Sequence, residues 1–139
     1  MTMPQREPMT LFSLTTRAMS AQMVRMNAAT SNLANAGSVS STAEGAYRPI
    51  RAVFAVALDR ASGLAGVTAS GLVRAETAPT KRYDPSHPLA DPQGNVFEAP
   101  VDETAEMVEI LDSARQYQNI VQALQTAKQL MLETLRSQS

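Results

Sequence analysis

The only histidine of the chain, His87, stands between two aspartates, Asp84 and Asp91, and this trio is the part of the sequence most suggestive of chemistry. Imidazole and carboxylate groups could ligate a metal ion or could act as a base beside one of the many serines. Each of the three residues directly precedes a proline, however, and Asp and His are ordinary turn residues there. A metal ion would require more ligands than this segment supplies. We therefore interpret the trio as a turn and expect no metal, no cofactor and no enzymatic activity.

Nucleotide-binding motifs are also missing. Gly63, Gly66 and Gly71 fit neither a dinucleotide fingerprint nor a P-loop, because no lysine follows them and no helix is expected to begin there. Arg48 and Arg51 could form a small cationic spot, although two charges on a strand are usually solvated surface. We expect no small-molecule substrate.

The composition excludes several classes of function. The 139 residues include 12 Lys plus Arg, 13 Asp plus Glu and no Cys, for a formal net charge of −1. Balanced charge without a basic block argues against a nucleic-acid partner, because phosphate contacts dominate such binding. The absence of cysteine excludes disulfides and thiol catalysis. The longest apolar run, residues 52–58, is far shorter than the roughly 20 residues that span a bilayer, so no direct membrane insertion is expected.

Two long segments have the pattern of α-helices, and their composition differs from that of the chain between them. Thr10 can cap a helix in residues 10–36 that ends before Gly37, and Asp102 can cap a second helix in residues 101–139. The second segment contains neither proline nor glycine. A helix of that length without a breaker is typical of a coiled coil or a filament.

Apolar residues recur along both segments in alternating steps of three and four, which places them on one stripe of each helix. Such stripes could form the core of a helical hairpin within one chain or a contact surface between subunits. The chain has few aromatic residues and two long stripes, so we expect some of the apolar surface to require partners. The predicted subunit-interface residues are Phe12, Met19, Met23, Met26, Leu33, Met107, Ile110, Tyr117, Val121, Leu124, Met131 and Leu135.

Residues 37–100 hold all six glycines and most of the prolines, and they indicate a β-hairpin followed by extended loops. The expected fold is therefore mostly α. Two long terminal helices form a coiled-coil-like antiparallel pair, in which residues 101–139 pack with residues 10–36, around a small β-containing middle module. Residues 1–9, with two prolines and no apolar segment of the secretory type, are expected to be a mobile tail rather than a cleaved signal peptide.

Three motifs, in this order, resemble the axial rod and hook proteins of the bacterial flagellum. The first is the asparagine-rich segment 27–36, and the second is His-Pro-Leu-Ala-Asp with a following glycine, which is similar to the central motif of the proximal-rod members. The third comprises segments 106–108, 113–117 and 127–131, which are similar to the C-terminal helix of that family. The motif residues are Asn27, Asn32, Leu33, Asn35, His87, Pro88, Leu89, Asp91 and Gly94.

The resemblance implies a structural subunit of the flagellar basal-body rod that self-assembles through its terminal helices and transmits motor torque. It implies three partners: other rod proteins, copies of the same chain, and the flagellar type III export apparatus. The implied location is the periplasmic rod of the basal body, which is reached by export without a cleaved signal peptide. An alternative that uses the same methionine stripe is a cytoplasmic helical adaptor or secretion chaperone.

Overall fold

A computed structural model describes residues 10–139, and the predicted tail at residues 1–9 lies outside the described residues. No helix within the described range is both long enough and apolar enough to cross a membrane. The elements follow in the order α1 (Leu11–Ala34), β1 (Val39–Ser40), β2 (Ile50–Asp59), β3 (Leu64–Arg74), β4 (Thr80–Tyr83), β5 (Asn95–Glu98) and α2 (Glu103–Ser137).

Side-chain caps begin both helices at the residues that the sequence indicates. The Thr10 hydroxyl accepts a hydrogen bond from the Ser13 N–H at 3.1 Å, and the Ser13 hydroxyl oxygen accepts one from the Thr10 N–H at 2.8 Å. This reciprocal pair is a capping box. The Asp102 carboxylate accepts from the Ala105 N–H at 3.1 Å and begins α2. With 35 residues, α2 is longer than α1, which has 24.

The strands form two separate antiparallel sheets. β2 and β3 pair as a hairpin, which is named here the β2–β3 hairpin, with a turn at residues 60–63. The register shifts between Val53 and Phe54, where Ser70 of β3 is left unpaired as a β-bulge, and the half-buried positions of β2 change from even to odd numbers beyond it. Since a bulge increases the local twist, Val56 and Leu58 become exposed although they share a parity with Ile50. The second sheet has the order β1–β5–β4.

The interior of the described chain is built from small side chains. The buried apolar residues are Ala21, Ala28, Ala29, Ala46, Val96 and Ala99. α1 contacts α2 and both strands of the β2–β3 hairpin. Alanines on α1 allow its two neighbours to approach closely, but they bury little apolar surface. Most large apolar side chains therefore remain half-buried or exposed.

The predicted fold class, mostly α with a coiled-coil-like helix pair, is wrong. About 45% of the structure is helix and about 24% is strand, in two antiparallel sheets. The physical reason is that α1 is shared between α2 and the hairpin, so its apolar positions do not serve a single helical partner. A coiled coil requires large apolar side chains inserted between those of the facing helix, whereas the buried positions of α1 are Ala21, Ala28, Ala29 and Asn32.

Replacement of Gly94, in the turn between β4 and β5, tests how tightly this turn is packed. Its φ is +82°, and an added Cβ would lie 2.9 Å from Tyr83 Cε2 and 3.0 Å from Pro85 Cβ. Gly94→Ala is expected to lower the free energy of unfolding by about 2–3 kcal/mol, since backbone strain and crowding add. Urea unfolding followed by circular dichroism measures the loss.

Gly37→Ala is the matched control, because Gly37 has a similar φ of +77° but no atom of the described residues lies within 4 Å of the added Cβ. Its loss should be about 1 kcal/mol, from backbone strain alone. Equal losses in the two variants would show that the space around Gly94 is not limiting.

Candidate subunit-interaction surface

One buried side chain, Asn32, joins the end of α1 to the start of the β2–β3 hairpin. Its Oδ1 accepts hydrogen bonds from the Ile50 N–H and the Tyr47 hydroxyl, both at 2.8 Å, and its Nδ2 donates to the Ile50 carbonyl oxygen at 2.9 Å. Asn32 is fully buried. A carboxamide offers a donor and an acceptor side by side, so it pairs with the peptide groups of Ile50 as a neighbouring strand would. This contact orients the hairpin on α1.

The other residues of the asparagine-rich motif have different environments. Asn35 is the C-cap of α1, and its Nδ2 donates to the Ser31 carbonyl oxygen at 2.8 Å. Asn27 is exposed, and its side chain forms no hydrogen bond within residues 10–139. Leu33 is half-buried. Within this motif, Asn32 is therefore the side chain that connects α1 to the hairpin.

An ion pair with a buried carboxylate closes the hairpin onto α2. Arg51 Nη2 lies 2.6 Å from Glu106 Oε1, and the side chain of Glu106 is only 2% exposed while that of Arg51 is 52% exposed. The hydrogen bond to Glu106 raises the pKa of Arg51 above its ordinary value, and burial partly opposes this. The other carboxylate oxygen, Oε2, is buried and has no hydrogen-bond partner among residues 10–139. Because Glu106 lies in the first turn of α2, it also places negative charge at the positive end of the helix dipole.

A second ionic cluster connects α1 to α2. Arg25 donates from Nε to Glu109 Oε1 at 2.8 Å, from Nη2 to Asp112 Oδ2 at 3.0 Å and from Nη1 to Gln22 Oε1 at 2.8 Å. The hydrogen bond to Glu109 is the main cause of a raised pKa of Arg25. Both carboxylates are partly solvated, at 39% and 46% exposure, so the cluster contributes more to alignment of the helices than to stability.

The His87 region is a turn, as its sequence indicates. His87 Nδ1 accepts from the Leu89 N–H at 3.0 Å, and Asp91 Oδ1 accepts from the Asn95 N–H at 2.8 Å. Gly94 adopts the positive φ that this turn requires, while Pro88 and Leu89 are exposed. Across residues 10–139, no three His, Asp or Glu side chains are grouped so that they could hold a metal ion.

The predicted interface residues of α1 lie partly inside and partly outside the fold. Met19, Met26 and Leu33 are half-buried, whereas Phe12 and Met23 are exposed. The methionine stripe is therefore divided. Part of it packs within the chain, and part of it remains available to a partner.

The predicted interface residues of α2 divide in the same way. Those that are half-buried are Ile110, Tyr117, Val121 and Leu124, and those that are exposed are Met107, Met131 and Leu135. At about 100° per residue, Met131 and Leu135 share the face of Tyr117 and Leu124. The face of α2 that packs on α1 thus continues toward its C-terminus as an apolar surface that no other described residue buries.

Sequence reasoning missed the polar positions within the helix interface. Ser113 is 1% exposed, and its hydroxyl donates to the Glu109 carbonyl oxygen at 2.6 Å. It lies three residues after Ile110 and four before Tyr117, so its spacing alone places it on the apolar stripe of α2. A stripe defined by apolar residues alone does not include it. Small or internally hydrogen-bonded polar side chains fit the same positions.

Similarity to known proteins extends over nearly the whole chain. Residues 93–137, which include β5 and α2, match the family described as the C-terminal region of flagellar basal body rod FlgEFG proteins. The chain is 37% identical over 125 residues to the flagellar basal-body rod protein FlgC of Escherichia coli O6:H1 strain CFT073, and the match covers 90% of this chain and 93% of that protein. The FlgC of Salmonella typhimurium strain LT2 is 36% identical with the same coverage. The FlgC of Buchnera aphidicola subsp. Acyrthosiphon pisum is 32% identical over 128 residues, again covering 90% of this chain and 93% of the relative.

Replacement of Asn32 tests the connection between α1 and the hairpin. Asn32→Ala is expected to lower the free energy of unfolding by about 2–4 kcal/mol, because the Ile50 peptide groups and the Tyr47 hydroxyl lose their buried partner. Denaturant unfolding measures this change. Asn27→Ala, on the exposed side of the same helix, should change the free energy of unfolding by less than about 0.5 kcal/mol. Similar values for the two variants would contradict the role assigned to Asn32.

Proposed function

Because the chain belongs to the family of the flagellar basal-body rod protein FlgC, we propose that its two terminal helices join it to neighbouring rod subunits and carry motor torque between them. The chain is a structural subunit of the basal-body rod, where it assembles with other rod proteins. This assignment replaces the alternative of a cytoplasmic adaptor or secretion chaperone. We assign it no catalytic function, no nucleic-acid partner and no small-molecule substrate.

Exposed apolar side chains near the end of α2 support this role. Met131 is 47% exposed and Leu135 is 60% exposed, although both lie on the face that packs against α1 earlier in the helix. Complete burial of one such side chain contributes roughly 1.5–3 kcal/mol. Phe12 and Met23 on α1 add further exposed apolar surface. Association with other subunits would supply the burial that the small interior of the single chain does not.

The division of the chain follows from the same proposal. Residues 10–36 and 101–139 form the assembling part, and residues 37–100 form a β-containing module that is carried by it. Copies of the same chain are among the neighbours. The nine-residue segment before Thr10 and the flagellar type III export apparatus belong to a separate step, which is delivery to the rod.

Charged substitutions at the end of α2 test the assembling role. Leu135→Asp and Met131→Asp should each abolish incorporation into basal bodies and motility, because an unpaired charge buried in a contact costs several kcal/mol. Both side chains are exposed in the single chain, so its urea unfolding should change by less than about 0.5 kcal/mol. Immunoblots of isolated basal bodies measure incorporation.

Thr134→Asp is the matched control, since Thr134 is exposed on another face of the same turn. It should leave swimming close to that of the unmodified chain. Normal motility of the Leu135→Asp and Met131→Asp variants would show that this end of α2 does not contact other rod subunits.

Deletion of residues 1–9 tests delivery, because the family resemblance places the export address near the N-terminus. We expect the deletion to reduce the secreted amount of the chain while leaving its unfolding curve unchanged. A variant with the same nine residues in scrambled order separates composition from order. Secretion of both variants at the unmodified rate would place the address within the helix-forming segment instead.

A further inference from the structure

An open groove of about 500 Å³ lies at the base of the β2–β3 hairpin. Its wall is formed by residues 44–48, which precede β2, and by Arg74 at the end of β3. The wall includes the guanidinium groups of Arg48 and Arg74 and the aromatic ring of Tyr47. This site is named here the arginine groove. It belongs to the β-containing middle module rather than to the terminal helices.

The two guanidiniums of the arginine groove have no carboxylate partner in the described chain. The acidic residues nearest to them in sequence are Glu44, which also lines the groove, and Glu76, and neither forms an ion pair with them among residues 10–139. Arg82 of the same module, by contrast, lies 2.7 Å from Glu98. With two arginines and one glutamate, the groove has a formal charge of 2 − 1 = +1. The described part of the chain therefore leaves both cations available to a ligand.

Hydrogen bonds hold the wall of the arginine groove in place. The Tyr47 hydroxyl donates to Asn32 Oδ1 at 2.8 Å, which fixes the aromatic ring. Arg74 Nη1 donates to the Arg48 carbonyl oxygen at 3.3 Å. The guanidinium carbon of Arg74 also lies 6.0 Å from the centre of the Tyr47 ring, in the range of a cation–π contact. A ligand thus meets a guanidinium that is already positioned, so binding costs less side-chain entropy.

The chemistry of this wall is suited to carboxylates. Each guanidinium presents N–H donors in a planar fork that matches the two oxygens of one carboxylate. Two guanidiniums therefore match two carboxylates, and the Tyr47 ring offers an apolar surface to the stems that carry them. The groove is open, so side chains of another protein can enter it. The chain assembles with other rod proteins, which are the proteins that surround it.

The acidic residues of a second copy are a poorer source of ligands than those of a different protein. Residues 102–112 are the densest acidic run of the chain, and three of its carboxylates already bond to arginines of the same chain: Glu106, Glu109 and Asp112. A fourth, Asp102, caps α2. From this run, a second copy would offer one uncommitted carboxylate, that of Glu103.

We propose that the arginine groove binds an acidic segment of a different rod protein, with Arg48 and Arg74 each donating to one Asp or Glu carboxylate and with Tyr47 packed against the segment between them. This inference goes beyond the proposed function, which concerns the terminal helices. It gives the middle module a contact of its own, in which charge selects the partner.

Zero-length cross-linking tests this contact in isolated basal bodies. Arg48→Lys and Arg74→Lys each keep the positive charge, and each introduces an amine that a carbodiimide couples to a touching carboxylate. An amide forms, and the carbodiimide takes up the water as a urea. We expect mass spectrometry to find an amide between the introduced amine and an Asp or Glu of another rod protein, in at least one of the two variants. Arg60→Lys, exposed in the hairpin turn, is the matched control and should give none.

A titration of the purified full chain provides the second measurement. The probe is a capped Gly-Glu-Glu-Gly peptide, and binding is followed by the arginine Nε–H signals in NMR spectra. Arg74→Gln should weaken binding by about tenfold, since a charge-assisted hydrogen bond is lost. Glu44→Gln should strengthen it by about twofold or more, because a like charge leaves the wall. Arg60→Gln removes the same charge elsewhere and should change it by less than about twofold. Circular dichroism spectra of these variants should match that of the unmodified chain.

Four results would overturn the inference. Three concern the cross-link: an amide to Glu44 or Glu76 of the same chain, an amide to a second copy, and no amide in either variant when basal bodies contain the normal amount of the chain. The fourth is tighter binding of inorganic phosphate than of the peptide at equal ionic strength. Each would leave the proposed function standing, because that function is tested separately at the end of α2.

Discussion

The pairing of Asn32 with the peptide groups of Ile50 determines how the other parts of the chain are arranged. It attaches the first residue of β2 to the last turns of α1 through three hydrogen bonds that include the Tyr47 hydroxyl. The next residue, Arg51, is thereby placed where its guanidinium reaches Glu106 in the first turn of α2. One carboxamide thus sets the positions of α1, the hairpin and the start of α2 relative to one another.

The contacts that hold these elements together are mainly polar or small. The helix interface contains Ser113 and the Arg25 cluster, and the hairpin is closed by an ion pair with a buried carboxylate. Buried ion pairs add little net stability because desolvation offsets their attraction, but loss of one partner is costly. Such contacts favour one arrangement over others without using large apolar side chains. Those side chains remain on the outside, where we propose that they meet neighbouring rod subunits.

Local signals in the sequence predict the helices and the hairpin well. Thr10 and Asp102 cap the helices because short polar side chains satisfy free N–H groups within three residues, which depends on nearby residues only. The sequence analysis does not predict β1 and β4, because both strands are short and are stabilised by pairing with β5. For β1, this partner is also distant in the sequence. The coiled-coil expectation was wrong because the apolar periodicity of α1 does not reveal that a hairpin shares its surface.

The same limit applies to the candidate surface, whose role as a subunit contact stays a prediction. A stripe of apolar residues identifies one face of a helix, but the division between its covered and uncovered positions depends on the length of the neighbouring helix and on the hairpin. Tyr117 and Met131 share one face of α2, yet Tyr117 is half-buried and Met131 is exposed, because different surroundings lie opposite them. The buried Glu106 carries no apolar signal at all, so hydrophobic periodicity does not detect it.

The ionic cluster at Arg25 has a consequence for the order in which the chain can fold. Its carboxylate partners lie 84 and 87 residues later in the sequence, and an amphipathic helix without its packing partner is only marginally stable in water. Because synthesis starts at the N-terminus, α1 is made long before the residues of α2 that pack against it. α1 can therefore close onto α2 only after the last quarter of the polypeptide has been made.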